Sequence, residues 1–281
     1  MQVLAFFAEN IPMQMLSALL LGLIVGSFLN VVVYRLPKML LRDWQIQARE
    51  VLGLPAEPAG STFNCPHCGH QIGALENIPL LSYLVLRGKC ASCKTPISPR
   101  YPLVELAAGL LSLLVVWHFG LGWQAAAMLL LTWGLLAMSL IDADHQLLPD
   151  VLVLPLLWLG LLVNSQALFA ALPDALWGAV LGYLSLWSIY WLFKLITGKE
   201  GMGHGDFKLL ALLGAWGGWQ VLPMTVLLSS LTGALLGSLW LYLQKKHGST
   251  PLPFGPYLAL AGWIALLFGD SISAHYLQLF A

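Results

Sequence analysis

Two aspartates stand where apolar sequence tolerates them least. Asp142 closes the hydrophobic run 106–141, in Ile141-Asp142-Ala143-Asp144-His145, and Asp206 precedes the run 209–244, in Gly201-Met202-Gly203-His204-Gly205-Asp206. A carboxylate at membrane depth costs about 2.5–3.5 kcal/mol on insertion scales, so it seldom persists without a task. Two carboxyl groups held close enough to share one proton have such a task. Repulsion between them leaves one protonated and the other ionised. The ionised member then takes a proton from water while the protonated member polarises a scissile carbonyl. Asp142 and Asp206, each at a helix boundary, are what an intramembrane aspartyl protease requires. The alternating glycines 201, 203 and 205 let a substrate or a facing helix come close to Asp206.

Each of these residues also has a plainer reading. Asp206 directly before Phe207-Lys208-Leu209-Leu210 suits a helix N-cap, and Asp150 after Pro149 suits the same role for the next helix. Asp144 competes with Asp142 for the first catalytic position. It is also a partner for Lys208, a cap, or a solvated side chain. His145 and His204 each neighbour an aspartate, which admits a His/Asp metal site, although an intramembrane metalloprotease would want the HExxH helix that is missing here.

All four cysteines fall in one module, Cys65-Pro66-His67-Cys68 and Cys90-Ala91-Ser92-Cys93. The gap between the two CxxC knuckles slightly exceeds the ~15–20 residues of a zinc ribbon. Four thiolates from Cys65, Cys68, Cys90 and Cys93 would enclose one tetrahedral Zn ion in a structural role, with no open position for catalysis. Redox-active CxxC pairs are the competing reading. A structural zinc would add folding energy to a segment with little core of its own.

The elements that must position these groups are membrane helices. Hydrophobic residues make up 59% of the 281 and charged residues only 9%, with mean hydropathy +0.80. No soluble domain covers itself with so little charge, so the expected fold is an all-α polytopic membrane protein. Breaks at charged and turn residues give about eight transmembrane helices. They lie near 11–34, 103–119, 123–141, 151–169 and 174–196, then in the two halves of 209–244, and finally at 256–276. The run 106–141 is nearly twice the ~20 residues of one span, and Gly120-Leu121-Gly122 divides it. The run 209–244 divides at Gly217-Gly218, and its short first half suits a partial helix beside a polar cavity.

Three regions follow: a first transmembrane anchor, 1–34; a cytoplasmic insert, 35–101; and a transmembrane protease core, 102–281. The N-terminus lacks a basic n-region and a small-residue cleavage site, so the anchor reads as retained. Within the insert, residues 38–52 carry Leu40, Trp44, Ala48 and Val51 at helical spacing, and an interfacial amphipathic helix is expected there.

The charge pattern sets an orientation. Eight of the 13 Lys+Arg lie between Arg35 and Arg100, and the others are Lys194, Lys199, Lys208, Lys245 and Lys246. With the N-terminus outside, every one of them lies on or next to the cytoplasmic side. Asp142 and Asp206 then share the cytoplasmic face. The formal net charge is zero, and no nucleic-acid partner is expected.

At these residues the chain resembles the bifunctional type IV prepilin peptidases, GxGD-type membrane aspartyl proteases of type IV pilus and type II secretion systems. Four signatures carry the resemblance, in order, over nearly the whole length. They are Gly26-Ser27-Phe28-Leu29-Asn30-Val31 with Arg35 and Pro37; the paired CxxC insert; Asp142 seven residues before Pro149-Asp150; and Gly203-His204-Gly205-Asp206-Phe207-Lys208. The resemblance implies that Asp142 and Asp206 are the catalytic pair, because the family's first aspartate stands seven residues before that proline. It implies as substrates type IV prepilins and type II secretion pseudopilins. These carry a short basic leader, glycine before the cut and usually phenylalanine after it. It implies a location in the inner (cytoplasmic) membrane of a bacterium, with the catalytic side facing the cytoplasm.

It also implies a second reaction, methylation of the new N-terminal amine with S-adenosylmethionine. No nucleotide-type glycine fingerprint marks a site for that donor. Glu105 is a carboxylate near the same surface, equally explained by pairing with Arg100 or Arg35. The rival from another class is a proton- or cation-coupled transporter. It would place its carboxylates nearer the midplane, between matching halves that this sequence lacks.

Overall fold

The structure is a computed structural model that describes residues 10–54, 89, 92–95, 98–199, 201–243 and 253–280. Among the described residues the elements are all helices: α1 (Ile11–Val51), α2 (Arg100–Phe119), α3 (Trp123–His145), α4 (Asp150–Asn164), α5 (Leu172–Thr197), α6 (His204–Gly217), α7 (Val221–Leu243) and α8 (Gly255–Phe280). The expected breaks are present. Gly120 (φ 69°) ends α2 and Gly218 (φ 78°) ends α6, both in the left-handed region that favours glycine.

Among the described residues five helices are long and apolar enough to cross a membrane: α1, α2, α3, α5 and, over Val221–Ser238, α7. The chain is therefore read as a multi-pass membrane protein. Exposed apolar side chains on α5, among them Trp177, Leu184, Ile189 and Leu192, give it a surface suited to lipid.

One expectation fails in the insert. Residues 38–52 do not begin a separate interfacial helix, because α1 runs unbroken for 41 residues from Ile11 to Val51. At ~1.5 Å per residue it is roughly 60 Å long, twice the hydrocarbon thickness. Pro37 sits inside it; proline removes one backbone N–H, yet here the helix passes through it. The amphipathic pattern of 38–52 thus belongs to the projecting half of a long helix. Cys65, Cys68 and Cys90 lie outside the described residues.

The chain divides into two compact units between Leu129 and Leu130, within α3. In the first unit α1 and α2 pack backbone to backbone. A Cβ on Gly26 would fall 2.7 Å from the Glu105 Cα, and one on Gly22 would fall 2.6 Å from the Ala108 carbonyl oxygen. Small residues that permit such approach replace hydrophobic driving force in lipid. Asn30, for which the sequence offered no chemical step, donates from Nδ2 to the Tyr101 carbonyl oxygen at 3.1 Å. It ties the middle of α1 to the start of α2.

The second unit is built around α6. This helix has 14 residues, and from Asp206 to Trp216 every side chain but that of Lys208 is buried. At roughly 21 Å it is shorter than the bilayer core, as its place in a divided apolar run suggested. Helices α4, α5, α7 and α8 all pack against it. The α5 contact is the tightest, since a Cβ on Gly178 would lie 2.3 Å from the Gly214 carbonyl oxygen. Buried Asn164, at the end of α4, fastens the far end of α6. Its Nδ2 donates to the carbonyl oxygens of Ala215 (2.9 Å) and Trp216 (2.8 Å), two groups that the helix end leaves without intrahelical partners.

Candidate active site

The second unit brings Asp142 and Asp206 together from α3 and α6. Asp142 lies in the last turn of α3; its carbonyl oxygen accepts from the Gln146 N–H at 2.8 Å as the chain leaves the helix. Asp206 lies in the first turn of α6, whose N-cap is Gly203. The plainer alternative, that Asp206 is itself the cap, is therefore set aside. It stands three residues further on, and its carboxylate accepts a hydrogen bond from the Gly203 backbone N–H. That is the return half of a capping box, made by an acidic side chain at the third helical position.

Burial separates the candidates. Asp142 is 6% exposed and Asp206 7%, whereas Asp144 and Asp150 are exposed. Residues two apart on a helix point to nearly opposite sides, so α3 can bury only one of Asp142 and Asp144. Asp142 and Asp206 are also close enough for the charge of one to act on the other.

Two further contacts fix the pair. Gly205 sits against Leu148, where a Cβ would fall 2.8 Å from the leucine Cβ. This presses the start of α6 onto the segment that joins α3 to α4, directly beyond Asp142. The second contact is a hydrogen bond of 3.0 Å from the Gly255 backbone N–H, at the start of α8, to Asp142 Oδ2. Helix N-termini favour negative charge and C-termini oppose it. Asp142 belongs to the C-terminal end of α3, yet its carboxylate meets the N-terminus of α8. Asp206 meets the N-terminus of its own helix.

The remaining residues singled out in the sequence take other places. Asp150 is the first residue of α4 and makes no cap; it accepts from Lys208 Nζ through Oδ1 (2.7 Å) and Oδ2 (2.8 Å). Lys208 thus pairs with Asp150, where Asp144 had been one expected partner. His145 is exposed at the end of α3. The His204 ring packs against Tyr190 and Phe207, at centroid separations of 5.1 and 5.4 Å. Among the described residues no group of three His, Cys, Asp or Glu is placed to hold a metal ion. Cys93 is exposed, with Sγ 3.1 Å from Thr95 Oγ1. Glu105 is buried in the first unit, on α2.

Gly255 and Leu148 were not singled out by sequence. Nothing in one sequence links Gly255 to a carboxylate more than a hundred residues earlier.

Residues 20–119 match the family model of the bacterial peptidase A24 N-terminal domain, and residues 129–238 match the type IV leader peptidase family. A protein of Stutzerimonas stutzeri named prepilin leader peptidase/N-methyltransferase is 71% identical over 280 residues, which cover 97% of each chain. A protein of the same name from Pseudomonas aeruginosa is 67% identical over 285 residues, covering 99% of this chain and 98% of its own. One from Aeromonas hydrophila is 55% identical over 289 residues and covers 100% of both. No solved structure gives a significant match.

Proposed function

Because this chain belongs to the type IV leader peptidase family and is a peptidase and N-methyltransferase, we propose that Asp142 and Asp206 together cleave the basic leader from prepilins. The observation that carries this reading is the burial of two carboxyl groups within electrostatic reach of each other, on adjacent ends of α3 and α6. A pair so placed holds one proton between them.

In this mechanism the ionised carboxylate takes a proton from a water molecule as its oxygen attacks the scissile carbonyl. The protonated partner donates a hydrogen bond to the carbonyl oxygen and stabilises the charge that develops there. Collapse of the tetrahedral intermediate breaks the C–N bond, and a proton passes to the leaving nitrogen. The products are a leader ending in a carboxylate and a mature pilin with a free N-terminal amine. Type II secretion pseudopilins are substrates of the same kind. The cut follows glycine, at the cytoplasmic edge of the substrate's apolar helix, where the distribution of Lys and Arg puts both aspartates. About eight helices cross or enter the inner membrane, and α4, α5, α7 and α8 pack around the short α6.

The second activity methylates the new amine, and S-adenosylmethionine supplies the methyl group. No described residue is assigned to that donor. Cys65, Cys68, Cys90 and Cys93 would hold a structural zinc in the cytoplasmic insert, a reading that rests on their spacing alone.

Mass spectrometry of a prepilin incubated with purified enzyme tests this function. Leader loss after glycine is expected with or without S-adenosylmethionine, and a gain of one methyl group only with it. An intact prepilin under both conditions would overturn the reading.

A further inference from the structure

The proposed dyad has a third participant that contributes no side chain. Helix α8 opens Pro253-Phe254-Gly255-Pro256, and the Leu258 N–H closes its first turn on the Phe254 carbonyl oxygen at 3.1 Å. Pro256 has no N–H, so it adds no donor beside Gly255. The Gly255 N–H is one of the first-turn donors that a helix cannot satisfy internally. It is aimed at Asp142 Oδ2, 3.0 Å away, and Gly255 itself is buried. A Cβ at this position would lie 2.6 Å from Oδ2 and 3.0 Å from Cγ of Asp142. The carboxyl group therefore occupies the space of the missing side chain.

We propose that Gly255 is a positioning residue of the peptidase: its N–H and its lack of a side chain lock the Asp142 carboxyl in one orientation. With Oδ2 held by α8, Oδ1 is the oxygen that exchanges a proton with water or substrate. The inference rests on the assignment of Asp142 to catalysis and adds to it a dependence on a separate helix. A methyl group at residue 255 forces the carboxyl to turn or α8 to retreat. A misplacement of about 1 Å at a reacting group costs on the order of 100-fold in rate.

The test uses the full chain and compares wild type, Gly255→Ala and Asp142→Asn. It measures prepilin cleavage and methyl transfer to a pilin already lacking its leader. Gly255→Ala should lower kcat for cleavage roughly 10- to 100-fold, with KM and methyl transfer each within about twofold of wild type. Thermal unfolding of Asp142→Ala and of the double variant Asp142→Ala/Gly255→Ala, beside wild type and Gly255→Ala, closes the cycle. The alanine at 255 should lower Tm when Asp142 is present and have little effect once Asp142 is alanine, because the crowded Oδ2 and Cγ are then gone and only a Cβ at an ordinary 3.4 Å remains.

Wild-type kcat in Gly255→Ala, alongside inactive Asp142→Asn, would overturn the positioning role and leave the dyad intact. Full activity in Asp142→Asn would instead remove the dyad assignment itself. An equal fall of KM, kcat and methyl transfer, or an equal Tm loss in both backgrounds, would make Gly255 a packing residue only.

Discussion

Replacing Asn164 with alanine should loosen the second unit without touching its chemistry. Asn164 is fully buried and makes four hydrogen bonds. Two run from Nδ2 to the carbonyl oxygens of Ala215 and Trp216 (2.9 and 2.8 Å), and Oδ1 accepts two from the Phe169 and Ala170 N–H groups (3.0 and 3.1 Å). At about 1 kcal/mol net for each bond, the loss amounts to roughly 4 kcal/mol. At ~2–4 °C per kcal/mol for a unit of this size, Tm should fall by roughly 8–16 °C, measured by thermal unfolding of the purified protein. Asp206 lies near the other end of the 14-residue α6, nine residues before Ala215 and roughly 14 Å away. Below the new Tm, kcat for prepilin cleavage should therefore stay within about twofold of wild type. A Tm within about 2 °C of wild type would refute the reasoning that Asn164 caps α6.

The pair of Lys208 and Asp150, at 2.7 Å and with side chains 33% and 55% exposed, should contribute little. Lys208→Met should cost about 0.2–1 kcal/mol, and the cost should shrink in 1 M salt, where the screening length falls to ~3 Å; a salt-independent loss above that range, in a thermal-unfolding series, would count against a screened surface pair. In the insert, Cys65→Ser combined with Cys68→Ser should release about one zinc per chain and impair methyl transfer more than cleavage, read by metal analysis and mass spectrometry. Equal loss of both activities in stably inserted protein would argue against separate modules.

Much of this was legible in the sequence because lipid makes strict demands. A long apolar run must be helix, and a glycine or charge within it must mean a break, so the turns at Gly120 and Gly218 stood where the apolar runs predicted. The same logic exposed Asp142 and Asp206, since apolar surroundings make a carboxylate conspicuous. Sequence could not show which of Asp142 and Asp144 faces inward; that follows from the rotation of α3 against its neighbours. Nor could it show that α1 runs on through Pro37, because an amphipathic segment reads alike whether it lies on a surface or extends a spanning helix. Gly255 was hidden for another reason. Its contribution is a backbone N–H and an empty volume, and neither leaves a chemical signature in a residue type. Asn30 and Asn164 were obscured similarly: each serves through hydrogen bonds to backbone carbonyls distant in sequence.

The central claim is that Asp142 and Asp206 form the catalytic pair, and the most direct test is the cleavage rate of one prepilin by three variants. Asp142→Asn and Asp206→Asn should each lose at least roughly a thousandfold in kcat, or about 4 kcal/mol of transition-state stabilisation. Asp144→Asn, altering an exposed carboxylate on the opposite side of α3, should stay within about threefold of wild type. Wild-type cleavage by Asp206→Asn would reduce that residue to a helix-terminus carboxylate. An inactive Asp144→Asn beside an active Asp142→Asn would place the first catalytic group on the other face of α3 and contradict the account.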